Sequence, residues 1–391
     1  MIIGRRRSRA ASLFRIAVPI LLLLAIAAAV LYIPNPLTST VAPMLRPAPT
    51  PTSAPSSTPI TARPHLEEAG RLESEGRLDE ALSQYQQAAA AEPNLPDSYL
   101  GIAGILTYRR DPAGAVKQAQ KAINLAPRSA EAHAALAVAY DWNSDPDQAI
   151  EEARKALELD PKLPEAYAYL AEANADKVRY ADAEDNVGKA LALNPSSLAA
   201  VRVRGYVYEV QAKYPEAAAQ YSKALELAPK QPYLYLLLAN VQKVMGEPDV
   251  AIDSYRKAAV LDPKDPRPLA GMGSCYYAME DYTNAEEQLK AALSLDPNYG
   301  AAVGQLALVY YAQKRNADAI PYFQQAITLE KSPAKLASYH HALGWSLLGE
   351  KRYAEAKEQF SEALKLDPKL QGAKDGLDMV NKLQQQQGTQ H

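Results

Sequence analysis

LDPKDPRPLAGMGSCYYAMEDYTNAEEQLKAALSLDP, residues 261–297, carries one full period of this chain between two copies of the same ending. Pro263 and Pro297 stand 34 residues apart, and the same step reaches back through Pro229, Pro195, Pro161 and Pro127 to Pro93. Self-similarity at that period signals stacked helical repeats rather than one globular core.

The period is written in small side chains as well. Twenty-four residues before each proline stands Ala69, Ala103, Ala137, Ala171, Gly205, Ala239 or Gly273. Alanine stands twelve before, from Ala81 to Ala285, and five before, from Ala88 to Ala292. Small residues at fixed points let two helix backbones approach, where larger ones would overpack the contact. Larger apolar residues fall between them at helical spacing, such as Leu136 with Tyr140 and Leu306 with Tyr310.

Each unit therefore reads as two helices. Pro112, Pro146 and Pro248 mark second-helix starts, where a missing N–H costs nothing. The periodic proline stops that helix by pushing the preceding residue out of the α region. An eighth unit follows with Ala307, Ala319 and Ala326, then Lys331 in the proline slot and Pro333 after it. About three residues are inserted before a ninth, marked by Gly344, Ala356, Ala363 and Pro368. Ala373, Leu377, Val380 and Leu383 then form one helical stripe, which suits a capping helix with a polar outer face.

Over roughly residues 62–384 the chain resembles the tetratricopeptide repeat (TPR) family. Small residue, alanine, alanine and proline recur at the family's spacing, often with an aromatic between the alanines: Tyr85, Tyr221, Tyr255, Phe323, Phe360. The resemblance implies an all-α, right-handed α-solenoid of about nine units over residues 65–369, with the cap and polar tail at 370–391. Pentatricopeptide RNA-binding repeats have a longer period and need a basic surface, so neither requirement is met.

The front of the chain is different material. Arg5, Arg6, Arg7, Arg9 and Arg15 fill a basic N-terminus, residues 1–15, and precede an apolar run from Ile16 to Ile33. That length is near the minimum for a transmembrane helix crossing ~30 Å of hydrocarbon. The positive-inside rule then sets the N-terminus in the cytoplasm and the repeats outside, extracellular or periplasmic. A single-pass signal anchor is the expectation; a cleaved signal peptide ending among Ala25–Ala29 is the alternative. An import receptor on a mitochondrial outer membrane is a third arrangement, opposed by the composition of the stalk. Residues 34–64, rich in Pro, Thr and Ser and free of acid, read as a disordered linker.

Seven of the 42 basic residues and none of the 45 acidic ones lie in residues 1–64. The remainder thus carries 35 basic against 45 acidic residues, a net −10. A region that acidic does not suit nucleic acid, which needs clustered Lys and Arg. One cysteine, Cys275, excludes an intrachain disulfide. His340 and His341 are adjacent and point apart on a helix, and no phosphate loop or metal motif appears, so no cofactor and no enzyme activity is expected.

What remains is surface. The resemblance implies that first helices of successive units line a concave groove for protein or peptide ligands. It puts Arg202, Tyr206, Tyr233, Asn240, Arg267, Tyr277, Tyr311 and Trp345 on the inner wall, with Trp142 near its edge. Aromatics and arginine are the usual anchors of interfaces. Chaperone-binding members carry a two-carboxylate clamp that Arg202, Asn240 and Arg267 match only loosely, so that function is not carried over. The expected work is scaffolding in assembly of envelope or secreted components, with self-association through the groove as a further option.

Overall fold

A computed structural model describes residues 61–109 and 111–388. The basic terminus, the apolar run 16–33 and nearly all of the 34–64 stretch lie outside them. Among the described residues no helix is long and apolar enough to cross a membrane.

The described residues form nineteen α-helices and no strand. Units 1 to 3 are α1 (Ala62–Ser74) with α2 (Leu78–Ala91), α3 (Pro96–Tyr108) with α4 (Pro112–Leu125), and α5 (Ala130–Trp142) with α6 (Pro146–Leu159). Units 4 to 6 are α7 (Pro164–Asp176) with α8 (Tyr180–Leu193), α9 (Leu198–Val210) with α10 (Tyr214–Leu227), and α11 (Pro232–Val244) with α12 (Pro248–Leu261). Units 7 to 9 are α13 (Pro266–Ala278) with α14 (Tyr282–Leu295), α15 (Gly300–Ala312) with α16 (Asn316–Leu329), and α17 (Pro333–Gly349) with α18 (Tyr353–Leu366). The cap is α19 (Gln371–Gly388).

Local chemistry explains these bounds. Second helices end two residues before the periodic proline, as at Leu261 before Pro263. Proline also opens five first helices, at Pro96, Pro164, Pro232, Pro266 and Pro333, a start signal additional to the three expected in second helices. The first helix begins at Ala62, inside the stretch read as linker, because Pro64 is tolerated in a first turn and the Ala62 N–H donates to Glu92. The three-residue insertion near Pro333 does not break the stack: it lengthens α17 to 17 residues where other first helices have 13.

Within a unit the two helices turn through a residue with φ near +60°. Ser144, Val178, Ala212, Glu280, Lys314 and Lys351 occupy this place, alongside Gly76 and Gly246. At Val178 the N–H donates to Ala175, and that of Arg179 to Asn174, which satisfies the last carbonyls of α7. Side chains then interlock across each unit. Tyr221, Phe323 and Phe360 are fully buried, and a Cβ on Gly205 would meet the Tyr221 ring at 2.7 Å.

Curvature differs along the stack. First helices α3, α5, α7 and α9 pack directly on one another, more closely than the first helices of later units. α7 explains why: Ala166, Ala168, Ala171, Ala173 and Ala175 are all buried, so neighbours approach from every side. At the matching place in the last turn, where α7 has Asn174–Ala175, α13 and α15 carry Tyr276–Tyr277 and Tyr310–Tyr311.

Tight curvature brings the chain back onto itself. The turns of units 1 and 2 touch the loops leading into units 6 and 7, more than 150 residues away. Arg109 donates to both Asp262 oxygens at 2.9 and 2.8 Å and to Asp79 at 2.5 Å. Lys264 pairs with Asp79 at 2.7 Å, and Gln231 donates to the Glu73 carbonyl at 3.2 Å. Arg267 donates to the Tyr108 carbonyl at 2.9 Å. Side chains make most of this seam, Gly76 sits directly against the Lys230 backbone, and a cavity of about 220 Å³ lies beside Arg109 and Asp262.

Candidate protein-binding groove

The inner wall has two parts. In units 2–5 it is filled by the chain's own side chains. Arg202, on α9, is 1 % exposed and grips Glu172, on α7, with two bonds of 2.6 and 2.5 Å. Burial opposes its charge, but the Glu172 carboxylate holds the guanidinium protonated, above its ordinary range. The Tyr108 and Trp142 rings cover it, with centroids 5.7 and 5.8 Å from the guanidinium carbon. Trp142 also donates its indole N–H to Glu172 at 3.2 Å and meets Tyr108 edge-on at 4.9 Å. Across the seam Tyr233 stacks on Tyr108, centroids 4.2 Å apart and planes within 8°.

Two further carboxylates face this pair. Asp141, on α5, is buried with one oxygen unbonded. Burial, reinforced by Glu172 and Asp176 and opposed by Arg202, pushes its carboxyl up to about 9. Asp176 accepts from the Tyr206 hydroxyl, and burial moves it upward too. A buried pair of this kind contributes little net stability when intact, but losing one member strands a charge.

In units 6–9 the wall is open. A cavity of about 240 Å³ is lined by Trp142, Tyr233, Leu236, Asn240, Lys243, Arg267, Ser274, Tyr299 and Gln305, among others. The Tyr255 hydroxyl donates to Asn240 at 2.6 Å, and Gln305 donates to Ser274 at 3.2 Å. Beyond it lie half-buried rings: Tyr277 against Tyr282 at 5.8 Å, Tyr311 against Phe323 at 6.3 Å, Trp345 against Phe360 at 5.5 Å.

The eight wall residues expected from sequence thus fall into groups. Tyr233, Asn240 and Arg267 line the cavity; Tyr277, Tyr311 and Trp345 continue the wall. Arg202 is sealed beneath its own partners, and Tyr206 is tied to Asp176. Glu172, Tyr108 and Lys243 were missed. Tyr108, Trp142 and Asp176 share one repeat position, 34 residues apart, so the period itself held the clue.

Other chemistry-bearing residues are packed. Cys275 is fully buried, and burial pushes its thiol up to about 11. His340 bonds Gln359, whereas His341 accepts from the Trp345 indole and is pushed below its ordinary value by burial. No group of His, Cys, Asp and Glu able to hold a metal occurs among the described residues.

Paired helices on a 34-residue step with a concave first-helix wall define a TPR-type solenoid. The chain belongs to a tetratricopeptide-repeat family: a family model described as the cilia and flagella-associated protein 70 C-terminal domain matches residues 186–387, just over half of the chain. A tetratricopeptide repeat model matches residues 105–164 and 142–197. No curated protein gives a match. Among solved structures the chain is similar to one from the APC/C hetero-tetramer Cut9–Hcn1, with TM-score 0.65 and 17 % identity over 77 % of this chain. It spans 59 % of that longer chain. It is also similar to PilF of Pseudomonas aeruginosa, with TM-score 0.44 and 22 % identity over 51 % of this chain and 91 % of that one.

Proposed function

We propose that this chain is a membrane-anchored repeat scaffold that holds an extended segment of a protein partner in the groove of units 6–9. The observation carrying this reading is the contrast in the wall: units 2–5 fill their own groove, whereas units 6–9 leave a cavity and a row of half-buried rings. Buried aromatics beside arginine are the side chains that anchor interfaces. The chain itself does no chemistry in this reading; it positions others. Proximity labelling in cells tests it, comparing the full chain with a Tyr277→Ala, Tyr311→Ala double variant. Loss of specific partners in the double variant is expected; identical partner sets would sink the groove.

Anchoring and location belong to the same proposal. The arginines ahead of the Ile16–Ile33 run support an N-terminus in the cytoplasm and repeats outside it, in assembly of envelope or secreted components. The expected result is retention in membranes after alkaline carbonate washing, with repeats cleaved by protease added outside. A mature N-terminus near Ala28 would replace the anchor with a released, soluble adaptor.

A further inference from the structure

Neighbouring repeats hold each other through packed helices. The seam is built otherwise, since no helix of units 1 and 2 packs along a helix of units 6 and 7. Turn and loop residues meet there instead: Gly76 in the turn of unit 1, Tyr108 and Arg109 at the end of α3, and Lys230, Gln231 and Asp262 after α10 and α12.

Two kinds of contact close it. One is apolar: the Tyr108 ring leaves its own unit and joins the core of units 5 and 6, stacked on Tyr233. The other is ionic and half in water. Arg109, with its side chain 16 % exposed, lies between Asp262 at 8 % and Asp79 at 49 %, and Lys264 reaches Asp79 at 74 %. Salt weakens pairs as exposed as those of Asp79. The buried pair returns little net stability, because Arg109 and Asp262 give up water to form it. Closure is therefore a balance of small terms. Something also lies beneath it. Trp142 meets the edge of Tyr108 and faces Tyr233 and Arg267 across a cavity, and Arg202 and Glu172 sit under Tyr108 and Trp142. Parting the two edges bares Trp142 first.

We propose that the seam is a latch: the solenoid turn opens and closes reversibly, screening of the Arg109 ion pairs releases it, and the closed form is autoinhibited, its wall in units 2–5 covered by Tyr108 and Tyr233. Units 3–5 lie between the two edges, so opening is spread over their interfaces as small rotations. Gly76 sets how closely the edges meet. A Cβ there would stand 2.3 Å from the Lys230 carbonyl oxygen, an approach that only glycine permits. The latch belongs to units 1–7 and holds whether or not units 6–9 take a partner.

The chain's two tryptophans supply the test. With Trp345→Phe, Trp142 is the single indole of the full chain, and acrylamide quenching in detergent reads whether it is covered. Quenching should rise roughly twofold between about 0.05 and about 1 M NaCl, over which the screening length falls several-fold. Arg109→Asp should give the high-salt value at every salt concentration, and the Arg109→Asp, Asp262→Arg swap should restore both cover and salt response. Gly76→Ala should uncover Trp142 and Gly246→Ala should not. Both alanines would bear a positive φ, +75° and +80°, but only the first meets the opposite edge. Far-UV circular dichroism should stay unchanged throughout. Helix lost on Arg109→Asp would make the seam part of the fold and overturn the latch. So would a Trp142 still covered in high salt and in Arg109→Asp, or a swap that restores nothing. Equal uncovering by both alanines would assign the effect to turn strain and overturn the role of Gly76.

Discussion

Units 2–5 and units 6–9 follow the same 34-residue plan and end with opposite inner faces. At the ninth position of the first helix the early half has Glu172, sealed under Arg202 and Trp142, while the later half has Ser274, facing an open cavity. The difference does not come from the residues that make the repeat. Alanines on all sides of α7 bring its neighbours close, whereas α13 and α15 carry a tyrosine pair where α7 has Asn174–Ala175. Repeat signature sets the fold; the residues it leaves free set the curvature, and curvature decides whether a groove is filled or available.

The sharpest way to break that contrast is Glu172→Ala. It strands a buried guanidinium, so a loss of about 3–5 kcal/mol is expected, read as lost amide-exchange protection across α5–α9. Ser274→Ala at the matching position should cost under about 1 kcal/mol. Equal costs would mean that the sealed half is not held by its ion pair.

A second effect, accumulating gradually with each pH unit, separates the halves by pH. The groups facing Asp141 are Glu172 and Asp176 on α7 and Arg202 and Tyr206 on α9. With its carboxyl raised from 3.8 to about 9, folded protein keeps a proton that unfolded chain releases. Stability therefore falls as pH rises through that window, by at most about 1.4 kcal/mol per pH unit. Asp141→Asn should remove the slope, raising the melting temperature at pH 8 while leaving it nearly unchanged near pH 4. An unaltered slope would show that Asp141 is not the group responsible.

The smallest expected effect is one that both halves share. Val178 sits at φ 61° and is 67 % exposed, a backbone shape that costs a branched residue energy with little packing in return. Val178→Gly should stabilise by roughly 0.5–1 kcal/mol, and Gly246→Val, at the same turn in the later half, should destabilise by a similar amount. Chemical denaturation monitored by circular dichroism checks both. Unequal responses would show that the turns, not only the inner faces, differ between halves.

Nearly all of the repeat architecture was legible in the sequence, because helix pairing within and between adjacent units is local and is written in Ala81, Ala88, Pro93 and their periodic copies. The nine units, the insertion before the ninth and the cap follow from that alone. The candidate site was legible only in part. The family resemblance implies an inner-wall place for Asn240 and Arg267, but it does not say that Arg202 is roofed by Tyr108 and Trp142. That depends on how far each unit rotates against the next, a sum of small angles fixed by packing at α5, α7 and α9. The Arg109–Asp262 contact spans 153 residues, and no local pattern marks it.

The seam has a consequence for cooperativity. A linear array of repeats unfolds as a series of neighbours, each aware only of the next. Here Asp79 and Glu73 at one end hold Lys264 and Gln231 five units on, which joins the early units into a loop of mutual support. Removing the first unit would then be felt at the sixth, and fraying would begin at the free ninth unit and its cap rather than at both ends.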